Sequence, residues 1–177
     1  MNDHNTREDR PALEVIGEFT TCAAKSYWIA LVLTGDEDTA ARVIFSGIHG
    51  VADSGKVFGE WMCAWGIDVV IKACVALHTD ELRKEGGSRE YWRAKVTEGS
   101  TIELQQAPLS TEGLRRALLP LPLFPRFVYV LRVLEGYTFS YVASILNVDK
   151  EACQAALAYS FGAFAQALTP VRLARQQ

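Results

Sequence analysis

The sequence has no Cys-x-x-Cys pair among its four cysteines, Cys22, Cys63, Cys74 and Cys153. The scattered spacing carries no zinc-ribbon or thioredoxin-type signature, and each cysteine falls in an apolar, helix-like stretch. They read as small buried hydrophobes of a protein in a reducing compartment. A basic excess is missing too, because 18 Lys and Arg stand against 21 Asp and Glu, for a net charge of −3 and a pI of about 5.6. Such a balance argues against the broad cationic surface of a nucleic-acid-binding domain. No run approaches the roughly 20 apolar residues that a membrane span needs; the longest, Ile67 to Leu77, contains Asp68 and Lys72. The first ten residues include Asp3, Glu8 and Asp9 and lack the apolar core of a signal peptide, so the expected location is the cytoplasm.

What is present is ordinary globular composition: 177 residues, 49% hydrophobic and 22% charged. That is enough for one domain, or for two small helical modules on a linker. From Pro11 to Leu33, apolar residues at Leu13, Ile16, Phe19, Ala23, Tyr27, Ala30 and Leu33 recur at the three- and four-residue spacing of one helix face. Thr34-Gly35-Asp36 closes that helix and opens a second, with Gly35 suited to the left-handed terminus and Asp36 to the cap. The second helix carries Ala40, Val43, Ile44 and Ile48, and a glycine-rich loop from Gly47 to Gly59 follows. A third helix, Val57 to His78, is apolar around most of its circumference. Trp61 and Trp65, one turn apart, are expected to anchor the core of this first module.

Between Asp80 and Pro108 the periodicity weakens, with a short candidate helix at Arg89 to Val96 between two glycine-containing stretches. The organisation this predicts is an N-terminal module at 10–80, a linker at 81–110 and a C-terminal module at 111–170. Charge shifts across it: residues 1–85 hold 8 Lys and Arg against 14 Asp and Glu, a net of −6, while 120–177 hold 5 against 3, a net of +2. The second module opens with a helix ending before Pro120 and Pro122. Helices then follow at Phe124 to Glu135, at Thr138 to Leu146, and from Lys150 to about Leu168. The last two flank the three-residue turn Asn147-Val148-Asp149, the form of a helix-turn-helix. The expected fold is all-α.

Leu121-Pro122, Arg126, Val130-Leu131-Arg132, Glu135-Gly136-Tyr137-Thr138, Val142-Ala143, Ile145-Leu146 and Val148 follow the pattern L-P-x-x-x-R, v-L-R, E-G-l-s, e-I-A-x-x-L-g-v. This resembles the C-terminal module of bacterial sigma factors of the extracytoplasmic-function group, and Ala30 to Gly35, Asp36 and Ala40-Ala41 are similar to their N-terminal module. The resemblance implies an all-α chain of two small helical modules that associates with RNA polymerase core, or with another sigma or anti-sigma protein, and with promoter DNA. No cofactor is implied.

The departures fall on functional positions. Where such relatives read T-V-K-S-R-L-x-R-A-R on the recognition helix, this chain has Ala152 to Phe161, with Gln154, Ala156, Tyr159 and Phe161 in place of cations. The acidic polymerase-binding run becomes Ala41 to Ser46, and the arginine-rich end of the third helix is replaced by Arg83, Lys84, Arg89 and Arg93 further on. Phosphate neutralisation supplies most non-specific DNA affinity, so the residues left for DNA are Lys150, Gln154, Arg126 and Arg132. The alternative function is a sigma-derived module that has lost DNA binding and works through homo- or hetero-oligomer contacts. Its contact face would include Ala156, Tyr159, Phe161 and Phe164, covered by the linker, the N-terminal module or a second chain.

Catalytic readings find little. Gly50 to Val57 nearly spells a phosphate-binding loop, but Val57 stands where the magnesium-binding hydroxyl belongs and no strand precedes it. His4, His49 and His78 share no ligand spacing, and Asp36, Glu37 and Asp38 are explained by helix capping. Tyr27, Trp28, Trp61 and Trp65 read as core rather than as a ligand pocket. An enzyme is not expected.

Overall fold

The computed structural model describes residues 12–52, 59–98 and 110–168, with side chains described for 22–47, 63–98 and 110–165. All the regular structure among them is helical: α1 (Ala12–Thr34), α2 (Glu37–Ala52), α3 (Gly59–Leu77), α4 (Thr79–Gly86), α5 (Arg89–Glu98), α6 (Thr111–Leu118), α7 (Leu123–Tyr129), α8 (Phe139–Leu146) and α9 (Lys150–Leu168). Helix α7 runs directly into a π-helical segment, Val130–Leu134.

The first corner follows from local chemistry. The Gly35 N–H donates to the Leu31 carbonyl at 2.9 Å and its φ of +85° is one that a side chain would strain. Asp36 Oδ1 then accepts the Asp38 N–H at 3.0 Å and Oδ2 the Thr39 N–H at 3.2 Å, satisfying free donors of α2. Helix α2 continues through the expected loop as far as Ala52, and Gly47 is buried where a Cβ would stand 3.1 Å from the Val69 side chain of α3. The phosphate-loop resemblance at Gly50 to Val57 falls partly on that helix end and otherwise outside the described residues.

Helix α1 is surrounded at its C-terminal end, so Ile29 to Leu33 are all buried. Its inward stripe runs through Ser26, Ile29, Ala30 and Leu33, while the expected Ala23 and Tyr27 are exposed. Helix α3 packs on α1 through Ile67, Val70, Ile71 and Cys74. At 100° per residue, Trp65 lies about 180° round the helix from Cys74. Its side chain is 38% exposed, which corrects its expected place in the core. The Trp61 side chain lies outside the described residues.

The span expected as linker also departs from its reading. Residues 79–98 form α4 and α5, which pack on α7 and α8 and on α9 respectively. Leu82 and Trp92 are their buried anchors. Each helix buries one large residue, so neither shows the periodic stripe by which sequence reveals a packed helix, although α5 covers the short helix expected at Arg89 to Val96.

Ser110 caps α6 by accepting the Gly113 N–H at 3.0 Å. In the first turn Glu112 accepts from Arg115 at 2.7 and 2.8 Å and from Arg116 at 2.9 Å. These bonds, Arg115 foremost, hold the Glu112 carboxyl down to about 2 from an ordinary 4.5. A depressed carboxyl stabilises the folded form above its unfolded pKa and loses that contribution as pH falls through the folded value. A carboxyl titration followed by NMR should therefore find Glu112 half-protonated near pH 2; a midpoint near the ordinary value would show the triad to be open in solution.

The chain then turns at Pro120 and Pro122 into α7, where the Glu85 carboxylate of α4 accepts the Phe124 N–H at 2.8 Å. A negative charge at this helix start complements the macrodipole and ties α4 to α7. Beyond the π segment Gly136 turns the chain at φ +72°, and Thr138 caps α8 by accepting the Tyr141 N–H at 3.2 Å. Asn147, left-handed at φ 52°, ends α8, and three residues later α9 begins. Buried residues of both halves join in one core.

Candidate interaction face of the C-terminal helices

Helices α8 and α9 meet across the turn Asn147-Val148-Asp149, and α9 exposes Lys150, Glu151, Gln154, Ala158, Phe161 and Ala165. Ala152, Cys153, Ala155 and Ala156 face inward. The start of α9 thus presents one cation, Lys150, between two carboxylates, Asp149 and Glu151. From Ala152 to Leu168 the helix carries no charged residue.

The four candidate DNA contacts are not brought together. Lys150 and Gln154 are exposed on α9. Arg126 is turned into the molecule instead, where its Nη1 donates to the Val32 carbonyl of α1 at 3.2 Å. Burial pulls the Arg126 pKa down against the raising influence of Glu85 and Glu81, and its Nε has no partner among the described residues. A guanidinium so placed serves a helix junction, in contrast to the open DNA contact expected for it. Arg132 is half-buried, its guanidinium 5.1 Å above the Phe139 ring.

Nor do the four candidate interface residues form one surface. Ala156 and Tyr159 are buried within the chain, with the Tyr159 ring 5.3 Å from that of Trp92 on α5. Of the expected covers for this face, the one present is the supposed linker, so these two residues are corrected from an external contact to core. Phe161 is 50% exposed, and both it and the half-buried Phe164 set ring edges against Tyr129, at 5.9 and 5.0 Å between centroids. Val133, one turn beyond Tyr129, is also exposed. Burial raises the Tyr129 phenol pKa. Chemically, this is an uncharged aromatic shelf, with no nucleophile or metal ligand on it among the described residues, suited to packing against another apolar surface.

Sequence reading missed a second set of residues, those that join the two halves. Lys25 Nζ lies 3.0 Å from Glu135 Oε2, and Tyr141 donates its phenolic proton to Asp68 Oδ1 at 3.1 Å. Lys72 lies 2.7 Å from the other oxygen of Asp68, and that hydrogen bond raises the Lys72 pKa. These partners stand 73 and 110 residues apart in the chain, beyond any local signal.

The cysteine reading needs correction as well. Cys74 and Cys153 are the buried thiols expected, and desolvation pushes both up to about 12. Cys22 and Cys63 instead form a disulfide between α1 and α3, with their Cα atoms 5.2 Å apart. The pair stands 41 residues apart in the chain and is invisible in sequence spacing.

Among the described residues, no helix is long and apolar enough to cross a membrane, and no group of three or more His, Cys, Asp or Glu could hold a metal ion. Comparison with protein-family models, with curated proteins and with solved structures found no match in any of the three.

Proposed function

We propose that the chain is a sigma-like helical protein that acts in the cytoplasm by associating with RNA polymerase core, or with another sigma or anti-sigma protein, and that its DNA-reading helix has become a protein-contact surface. The observation that carries this reading is the outer face of α9, where Gln154, Ala158 and Phe161 are exposed and charge is absent beyond Glu151. Sequence-independent DNA affinity comes from phosphate neutralisation, and among the described residues of α9 this face offers Lys150 alone.

A second reading, a sigma-like initiation factor that still contacts promoter DNA, is favoured by the α8-turn-α9 arrangement, with its cap at Thr138 and its left-handed Asn147. A polymerase-core pull-down alongside a salt-dependent DNA titration separates the two. On the first reading core is retained, and the log–log slope of DNA affinity against salt is no steeper than about −2 for contacts confined to the α8–α9 face, where Lys150 and a partly accessible Arg132 can neutralise two phosphates. A slope near −6, as from six or more phosphate contacts, would transfer the helix to DNA. Failure to retain either core or a sigma or anti-sigma protein would remove the sigma-like function.

A further inference from the structure

Two of the polar contacts between α1 and α3 and the rest of the chain have a common geometry, beside the Arg126 bond to Val32 and the shared apolar core. Lys25, on α1, meets Glu135 and Asp68, on α3, meets Tyr141, so the grip has one arm on each of two helices. A shift of α1 against α3 would therefore move one arm relative to the other. Cys22 lies one turn before Lys25, and Cys63 lies five residues before Asp68. Their disulfide therefore ties the two helices beside both arms, across a sequence separation of 41 that encloses all of α2.

We propose that the Cys22–Cys63 disulfide is a redox-operated clasp: intact, it helps hold α1 and α3 at the spacing that lets Lys25 and Asp68 grip Glu135 and Tyr141 together, and its reduction loosens both of these contacts while the shared core keeps the two halves joined. The reductant is a cellular dithiol. One of its thiolates attacks a sulfur of the pair, the S–S bond breaks, and its second thiol resolves the mixed disulfide. The dithiol becomes a disulfide, while Cys22 and Cys63 receive two electrons and two protons and leave as thiols.

Burial separates this pair from the other cysteines. Cys22 and Cys63 are half-buried, whereas Cys74 and Cys153 are buried and held as inert thiols. Glu135 makes the grip sensitive to small shifts. Its side chain is only 7% exposed while Lys25 is 51% exposed, so displacement of α1 leaves a largely desolvated carboxylate without its counter-ion. Where disulfides occur in cytosolic proteins they are characteristically transient and redox-sensing; the clasp does not depend on the location proposed above.

The test uses the full chain, oxidised and then reduced with dithiothreitol without denaturant. Thiol titration in denaturant should find two thiols in the oxidised chain and four in the reduced one. Amide hydrogen exchange followed by mass spectrometry should quicken severalfold on reduction in residues 130–146 as well as in 22–34 and 63–72. A Lys25→Ala/Tyr141→Phe variant should show the fast exchange at 130–146 with its disulfide intact. A Cys22→Ser/Cys63→Ser variant should behave as the reduced chain whether or not dithiothreitol is present; should it fail to fold, the redox comparison on the wild-type chain decides. Four free thiols in the oxidised chain overturn the proposal. So does a reduction effect confined to 22–34 and 63–72, or a dithiothreitol effect that persists in the serine variant.

Discussion

Replacing Trp92 with alanine should destabilise the chain by about 3–5 kcal/mol, the range for truncating a large buried aromatic. The residue is 1% exposed, wedged between Phe124 of α7 and Tyr159 of α9 at ring-centroid distances of 6.0 and 5.3 Å. Its indole N–H donates to the Glu85 carbonyl at 2.8 Å, supplying one of the acceptors left open at the end of α4. Alanine would leave a cavity where three helices meet and a part-buried carbonyl without its donor. Trp92→Phe restores most of the apolar contact and omits the hydrogen bond, so it should lose only about 1–2 kcal/mol. Urea unfolding of the three proteins checks this, and a Trp92→Ala loss below about 1 kcal/mol would mean that α5 is not docked on α9 in solution.

Two glycine-to-alanine substitutions should shift stability in opposite directions. At Gly86 an added Cβ would stand 2.7 Å from Val148 Cγ1 and 2.9 Å from Phe124 Cε2, closer than carbon atoms approach without displacement. Gly86 closes α4 where it crosses α7 and the turn that leads into α9, so the displaced groups belong to two elements. Overpacking of this kind should cost about 1–3 kcal/mol. At Gly66, inside α3, an added Cβ would meet nothing within 4 Å. Gly66→Ala should gain up to about 1 kcal/mol through helix propensity alone. Unfolding midpoints measured with unchanged denaturant dependence decide the matter; a neutral Gly86→Ala would place α4 away from the α8–α9 turn.

The two modules differ in how much of them the sequence reveals. Gly35 and Asp36 at the first corner, and Thr138 and Asn147 around α8, act on backbone groups within four residues of themselves, so their roles can be read from the chain. The apolar runs of α1, α3, α7 and α9 likewise declare helices, because burial on one side imposes a period near 3.6. Helices α4 and α5 declare little, each being held by a single inward anchor. Trp65 shows the complementary failure, since a large indole signals burial by type while the face it occupies depends on where α1 lies.

The candidate site divides in the same way. The loss of cations from the run Ala152 to Phe161 is plain in the sequence, and so is the uncharged length of α9. Which of those apolar residues remain outside is not. Tyr159 and Phe161 are two positions apart on one helix, and the arrival of α5 buries the first and leaves the second exposed.

The sequence by itself determined that the chain is helical, where most of its helices begin and end, and that its last helix is poor in charge, because capping, turn conformation and apolar period are short-range properties. The tertiary structure alone decided that α5 covers α9, that Arg126 serves a helix junction, that Lys25 and Asp68 hold the two halves together, and that Cys22 meets Cys63. Each of these pairs residues from distant parts of the chain. A pairing of that kind is settled by which helix faces are left to bury one another, and neighbouring residues in the sequence carry no record of it.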